Sequence, residues 1–238
     1  MHAAPSLAPA ARPRHTALVR VTHWITAVCF FALLLTGAAI LISHPRFYWG
    51  EAGNVLTPYL FKIPIPASRH SVPTGYSYVV PDMNGWGRNL HFQAAWGVVL
   101  TGLLYVGYGL ATRHFRRNLL PAREGLAGEI LRHLRLRRPG PAEAWSYNAI
   151  QRLAYLVVIF VLFPLVSWTG LAMSPGVASA FPQVVTTFGG QQSARTIHFF
   201  VSVALALFVL VHFAMVCIAG FLSRMRAMVT GRVAAGKE

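Results

Sequence analysis

Residues 196–222 form an apolar run without a charged side chain, yet the run contains His198 and His212. A helix needs about 20 apolar residues to cross a bilayer, so this run is long enough to do so. Positions fourteen residues apart on an α-helix lie within about 40° of each other and about 21 Å apart along the axis. Because polar groups are costly inside a membrane, both histidines are predicted to be functional. Two histidines on one face at this spacing are expected to bind two stacked b-type haems.

The composition indicates an integral membrane protein. Of the 238 residues, 55% are hydrophobic and only 11% are charged, which is too apolar for an ordinary soluble domain. The net charge of +15 does not indicate nucleic-acid binding, because the basic residues lie between the apolar runs. The two cysteines, Cys29 and Cys217, lie inside apolar runs and no Cys-x-x-Cys-His motif occurs. Neither a disulfide framework nor covalent haem attachment is therefore expected, and both thiols are expected to be buried in the membrane.

Four uncharged apolar runs predict four transmembrane helices, and the fold class is an all-α, four-helix bundle that binds two b haems. The predicted spans are about 22–43, 90–112, 153–173 and 196–222. They lie in a domain of residues 21–226, between an N-terminal tail (1–20) and a C-terminal tail (227–238). The connecting loops are 44–89, 113–152 and 174–195. Pro164 predicts a kink in the third span, which contains no histidine.

The distribution of basic residues predicts the orientation. Sixteen of the 21 lysines and arginines lie in residues 1–20, in loop 113–152 and in the basic C-terminal end from residue 223, and the other two loops hold five. The positive-inside rule therefore places both termini and loop 113–152 in the cytoplasm of a bacterial cell. Loops 44–89 and 174–195 are then expected to face the periplasm.

This orientation assigns a depth to each histidine near a predicted span. His23 begins the first span at the cytoplasmic side, and His91 begins the second span at the outer side. On the fourth span, His198 is the outer histidine and His212 the inner one. We therefore predict that His91 and His198 hold the iron of an outer haem, and that His23 and His212 hold the iron of an inner haem. Each histidine alone could instead be an interhelical hydrogen-bonding group, but four at matching depths favour ligation.

Two arginines are candidates for contacts to haem propionates. Arg195 lies one turn from His198 and Arg20 one turn from His23, and a guanidinium suits a carboxylate through its forked donors. An equally acceptable interpretation is that both arginines anchor the helices at the membrane surface. For a quinone site we favour the inner haem near Arg20 and Tyr155, although no residue pattern defines that site.

Six short motifs resemble those of bacterial cytochrome b561-type membrane subunits, over about residues 14–232. The motifs are RVTHW (20–24), HPRFYWG (44–50), HFQAAW (91–96), FRRNLLP (115–121), TGLAMSP (169–175) and QSARTIH (192–198). The similar branch includes cytochrome b subunits of thiosulfate reductases, formate dehydrogenases and nickel–iron hydrogenases. Within that branch, the chain most resembles cytochromes that accompany sulfite-oxidase-type molybdopterin oxidoreductases. The resemblance implies two b haems held by His23, His91, His198 and His212. It does not extend to residues 51–89.

Three functions are consistent with these features. The first is a dihaem cytochrome of the bacterial inner membrane that relays electrons between a periplasmic molybdopterin oxidoreductase and the quinone pool, in either direction. The second is a stand-alone oxidoreductase, such as a b561-type superoxide:quinone oxidoreductase. The third is a non-redox transporter or scaffold. The absence of Asp and Glu from the four spans counts against proton-coupled transport, and the long outer loop 44–89 favours docking of a protein over the second function.

Overall fold

The computed structural model describes residues 16–54, 56–64, 84–120 and 149–231. Within them, four helices are long and apolar enough to cross a membrane: Ala17–Ser43, Gly85–Ala111, Gln151–Ala172 and Gln191–Ile218. The prediction of four membrane-spanning helices is therefore confirmed. We call the end of the bundle that carries His91 and His198 the outer end, and the end that carries His23 and His212 the inner end.

The first two spans are single long helices. Helix α1 (Ala17–Ser43) begins after Thr16, whose hydroxyl accepts a hydrogen bond from the Val19 amide at 3.4 Å. It ends immediately before His44 and Pro45, as the proline predicts. Helix α2 (Asn84–Ala111) begins six residues before the predicted span. It is followed by Arg113, whose φ of 55° stops a regular helix, and by a short π-helix (Phe115–Leu119).

The third span is interrupted where the proline lies. Helix α3 (Ala149–Val157) passes into a π-helical segment (Val158–Leu162) and then into α4 (Phe163–Ala172). Pro164 is in the first turn of α4. A proline has no amide hydrogen and its ring crowds the carbonyl four residues earlier, so the widened turn accommodates it.

The fourth span differs from its predicted bounds at both ends. Helix α7 (Gln191–Ile218) starts five residues earlier and ends four residues earlier than expected. Gly220, with a φ of 96°, ends the run and starts α8 (Phe221–Thr230). The predicted loop 174–195 contains two short helices, α5 (Pro175–Ala180) and α6 (Gln183–Thr186). Residues 55 and 65–83 of loop 44–89, and residues 121–148 of loop 113–152, lie outside the described residues.

The four spans are arranged as two closely packed pairs: α1 with α2, and α4 with α7. Between α1 and α2 the Thr26 and Thr101 hydroxyls share a hydrogen bond of 3.0 Å. A Cβ added at Gly97 would lie 2.6 Å from the Cys29 sulfur, so the glycine permits this close approach. Both cysteines are free, and Cys217 is on the exposed surface of the fourth span.

An apolar cluster fills the middle of the bundle. Val158, Val201 and Leu205 are buried together, and Phe30 of α1 packs against them. Val201 and Leu205 lie between His198 and His212 on α7. Many large apolar side chains point outward instead, including Leu35 (73% exposed) and Leu210 (66% exposed), as expected of surfaces that face lipid.

A small two-stranded sheet lies at the outer end, in addition to the predicted helices. Strands β1 (Arg46–Phe47) and β2 (Phe61–Lys62) pair antiparallel, with Phe47 opposite Phe61. The two rings stack with centroids 4.7 Å apart. Phe199 of α7 packs on the Phe47 ring at 4.6 Å, so the sheet rests directly on the fourth span.

Candidate functional site: two histidine pairs

The outer histidines face each other across the bundle. His91 of α2 and His198 of α7 have ring centroids 6.3 Å apart and an interplanar angle of 56°. The two residues belong to different helix pairs, so their rings meet in the space between the pairs. These two residues were paired in the sequence prediction only because they share a predicted depth in the membrane.

A threonine from the neighbouring helix contacts each outer imidazole. Thr36 Oγ1 of α1 lies 2.9 Å from His91 Nδ1, and Thr169 Oγ1 of α4 lies 3.0 Å from His198 Nδ1. Both threonines are buried, with Thr169 fully inaccessible. Each is followed by a glycine, and Cβ atoms added there would lie 3.6 and 3.5 Å from the Cε1 atoms of the two rings. A Thr-Gly dipeptide therefore faces each ring. The sequence analysis missed these threonines, because hydroxyl residues are common in membrane helices.

The inner histidines are also opposed. His23 of α1 and His212 of α7 have ring centroids 6.4 Å apart and an interplanar angle of 62°. His212 stacks on Phe208 at 6.0 Å and meets the edge of Tyr155 at 6.4 Å. The Trp24 ring lies 5.5 Å from His23. The inner pair is thus surrounded by aromatic side chains.

Both ring separations fit an iron bound between two imidazoles. A metal–imidazole bond is about 2 Å long, and a five-membered ring has a radius of about 1.15 Å, so two rings on opposite sides of one iron have centroids about 6.3 Å apart. The observed distances are 6.3 and 6.4 Å. Among the residues that the structure describes, no three His, Cys, Asp or Glu side chains form a metal-ion site. The donor set therefore suits an iron whose remaining ligands come from a porphyrin.

Arg195 lies above the outer pair and contacts the chain itself. Its guanidinium donates to the backbone carbonyls of His44 and Arg46, the latter at 3.1 Å, and lies 4.9 Å from the centre of the Phe47 ring. Arg195 thereby fastens the segment after α1 to the start of α7. Its predicted contact to a propionate stays a prediction.

Further hydrogen bonds hold the same two segments together. The Gly50 amide donates to Ser193 Oγ at 2.7 Å, and the Gly50 carbonyl accepts from the Gln192 amide at 3.0 Å. The Thr196 hydroxyl donates to the Tyr48 carbonyl at 2.7 Å. Tyr48 is only 1% exposed. The HPRFYWG motif therefore contacts the QSARTIH motif, which ends at His198 of the outer pair.

Arg20 has a comparable position at the inner end. Its Nη1 donates to the Val229 carbonyl at 2.7 Å, and the Trp24 indole donates to the Met228 carbonyl at 3.3 Å. These two bonds tie the start of α1 to α8. The buried Nε of Arg20 has no hydrogen-bond partner within the described part of the chain, so it keeps a donor for a carboxylate.

Two other histidines in the described part of the chain, His44 and His114, do not join either pair. His44 caps α1 and its Nε2 lies 3.3 Å from Arg88 Nη2. Burial, followed by the charges of Arg195 and Arg88, lowers its pKa from the usual 6.5. His114 packs against the Tyr105 ring at 6.2 Å, and partial burial lowers its pKa as well. His70 lies outside the described residues.

Two opposed imidazole pairs in a helical membrane protein are the arrangement expected of a membrane-bound b-type cytochrome. The sequence matches the family "Prokaryotic cytochrome b561" over residues 14–231, so the chain belongs to that family. Membership implies binding of haem b, and with the four apolar helices it identifies a multi-pass protein of the bacterial inner membrane.

The chain is also similar to a curated protein named "Putative protein-methionine-sulfoxide reductase subunit YedZ1" from Azospira oryzae. The two are 27% identical over 213 residues, which cover 86% of this chain and 90% of that protein. The resemblance to b561-type cytochromes that the motifs indicated is thereby confirmed.

Proposed function

We propose that this protein is a dihaem membrane cytochrome that relays electrons between a periplasmic oxidoreductase and the quinone pool. The observation that carries the proposal is that two imidazoles oppose each other at each of two depths. The ring centroids are 6.3 Å apart in the outer pair and 6.4 Å apart in the inner pair. A purely structural hydrogen-bonding role would not require both pairs to have the spacing of a bis-imidazole iron site. Membership in a cytochrome family also counts against the transporter and scaffold alternative.

The four histidines would hold two haems b. His91 and His198 would be the axial ligands of the outer haem, and His23 and His212 those of the inner haem. Arg195 and Arg20 would lie near the outer and inner propionates. When bound, the two haems supply one-electron transfer between ferric and ferrous iron.

The spacing of the two ligand pairs suits transfer across the membrane. His198 and His212 belong to one uninterrupted helix, so they are about 21 Å apart along its axis. This distance covers about two thirds of a hydrocarbon core of about 30 Å. Val201 and Leu205 of the buried apolar cluster lie between His198 and His212 on this helix.

We assign the outer end to the periplasm, from the distribution of basic residues. A partner there would meet the segment fastened to α7, from which Trp49 (59% exposed) and Tyr59 (52% exposed) project. We propose a molybdopterin oxidoreductase as this partner, in line with the resemblance stated from the motifs. The similar protein is named as a reductase subunit, which favours electron flow from quinol towards the partner. Quinol would then be oxidised at the inner end, near Arg20 and Tyr155.

Single-ligand variants test the two sites separately. His198→Ala is expected to remove only the outer haem and His212→Ala only the inner one, so each purified variant retains about half of the haem. His44→Ala serves as the matched control, because this histidine belongs to neither pair, and it should retain both haems. Loss of both haems from a folded single variant would contradict two independent sites.

A further inference from the structure

The threonines beside the outer histidines determine which ring nitrogen is free to bind a metal. The Thr36 hydroxyl lies 2.7 Å from the Ala32 carbonyl oxygen, four residues earlier on α1. The Thr169 hydroxyl lies 2.8 Å from the Leu165 carbonyl oxygen on α4. Two oxygens at such a distance require a hydrogen between them, so each hydroxyl donates its one hydrogen to a carbonyl.

Each threonine oxygen must then accept from the histidine that it contacts. His91 Nδ1, at 2.9 Å, and His198 Nδ1, at 3.0 Å, therefore carry the ring hydrogen. A neutral imidazole has one hydrogen, so Nε2 of both rings keeps its lone pair. Without these bonds, each ring would be free to place its hydrogen on Nε2, which would block ligation.

The arrangement occurs twice with the same parts. In each closely packed helix pair, the first helix supplies a Thr-Gly dipeptide (36–37 or 169–170) and the second supplies the outer histidine. Both bonds act on rings that would bind the same iron from opposite sides. At the inner level, His212 packs on the apolar ring of Phe208 instead.

We infer that Thr36 and Thr169 are positioning residues that fix the tautomer of the outer ligands and lower the reduction potential of the outer haem. This inference rests on the proposed function. A bond from Nδ1–H to an oxygen increases the electron density that the ring donates through Nε2. Electron donation from the ring stabilises ferric iron more than ferrous iron, because ferric iron has the higher charge. The oxidised state is thereby favoured.

The test is a spectroelectrochemical titration of the purified holoprotein with the variants Thr36→Val and Thr169→Val. Valine has nearly the same shape and lacks the hydroxyl. Each variant is expected to favour reduction of the outer haem about threefold, which is about 30 mV upward at 59 mV per tenfold change for one electron. The double variant is expected to give about tenfold, or about 60 mV, because both bonds act on one iron. The inner haem should keep its potential.

Thr101→Val is the matched control. Thr101 also precedes a glycine in a membrane helix and donates to a carbonyl, that of Gly97 at 2.7 Å, but on the neighbouring helix it contacts the Thr26 hydroxyl and not an imidazole. This variant should leave both potentials unchanged. Thr36→Ser and Thr169→Ser retain the hydroxyl and should restore the wild-type potential, which a loss of packing would not explain.

The outcomes separate this inference from the proposed function. Wild-type protein without haem would refute the proposed function itself. If wild-type protein carries two haems, and the valine variants shift both potentials equally or neither, then the threonines do not act through the outer ligands. If a valine variant does not accumulate, the ferric electron paramagnetic resonance signals of the serine variants provide the second readout. Both signals should match wild type, and a changed outer signal would contradict the role of the hydroxyl.

Discussion

Replacing Arg195 by glutamine tests whether this residue fastens the outer segment or merely anchors a helix at the membrane surface. The guanidinium donates to two backbone carbonyls, of His44 and Arg46, and lies over the Phe47 ring. A hydrogen bond from a charged donor contributes about 1.5–3 kcal/mol net, and a partly exposed cation–π contact about 0.5–1 kcal/mol. Because contributions that share one side chain are not additive, we expect the free energy of local opening to fall by about 2–4 kcal/mol.

Amide hydrogen exchange in detergent measures this loss where it occurs. The Leu60 amide donates to the Phe47 carbonyl at 2.8 Å, and the Gly50 amide donates to Ser193 Oγ at 2.7 Å. Both hydrogens should exchange about 30- to 700-fold faster in Arg195→Gln, since 1.4 kcal/mol corresponds to a factor of ten. Amides in the middle of α7 should not change.

Two further variants make the comparison decisive. Lys62→Gln removes one positive charge from the same outer segment, where the side chain is exposed, and should leave the exchange rates unchanged. Arg195→Lys keeps the charge but loses the forked donors, so it should resemble Arg195→Gln. If Arg195→Lys instead matched wild type, a simple interfacial anchor would explain the residue and the reasoning from its two carbonyl contacts would be wrong.

Two other predictions concern the same outer end. Gly190 has a φ of 126°, and an added Cβ would overlap the Gly50 carbonyl, so Gly190→Ala should destabilise the protein by about 3 kcal/mol or more. A Cβ added at Gly176 meets nothing within 4 Å, so the control variant Gly176→Ala should leave the thermal midpoint of the protein almost unchanged. A similar midpoint for both variants would contradict the close approach. The lowered pKa of His44 means that the unfolded chain binds its proton more readily, so stability should fall as the pH drops below about 6.5. Protonation would also put a hydrogen on the Nε2 that accepts from Arg88; an unchanged pH dependence of the thermal midpoint in His44→Gln would refute this assignment.

The helices and the histidine pairs could be predicted because they follow simple rules. Apolar length defined the four spans, and the charge distribution placed each histidine at a depth before any contact was known. The rings that share a predicted depth are the rings that face each other in the structure. The order of the spans and the depth of each histidine on its span were sufficient for this result.

The threonine contacts required information that the sequence does not contain. Thr36 contacts a ring 55 positions away, and the rotation and axial offset of α1 against α2 decide that contact. A single sequence gives the period of each helix but not the offset between two of them. The fastening of the HPRFYWG segment to α7 was missed for the same reason, since it depends on carbonyl groups that every residue possesses.

The central claim is that the chain binds one haem b at each of two levels. The most direct test is the visible spectrum of the purified protein, reduced minus oxidised, with the pyridine haemochromogen assay to count haem per polypeptide. We expect two haems b per chain. One haem would leave a single histidine pair as ligands and make the other pair structural, and a protein without haem would contradict the account.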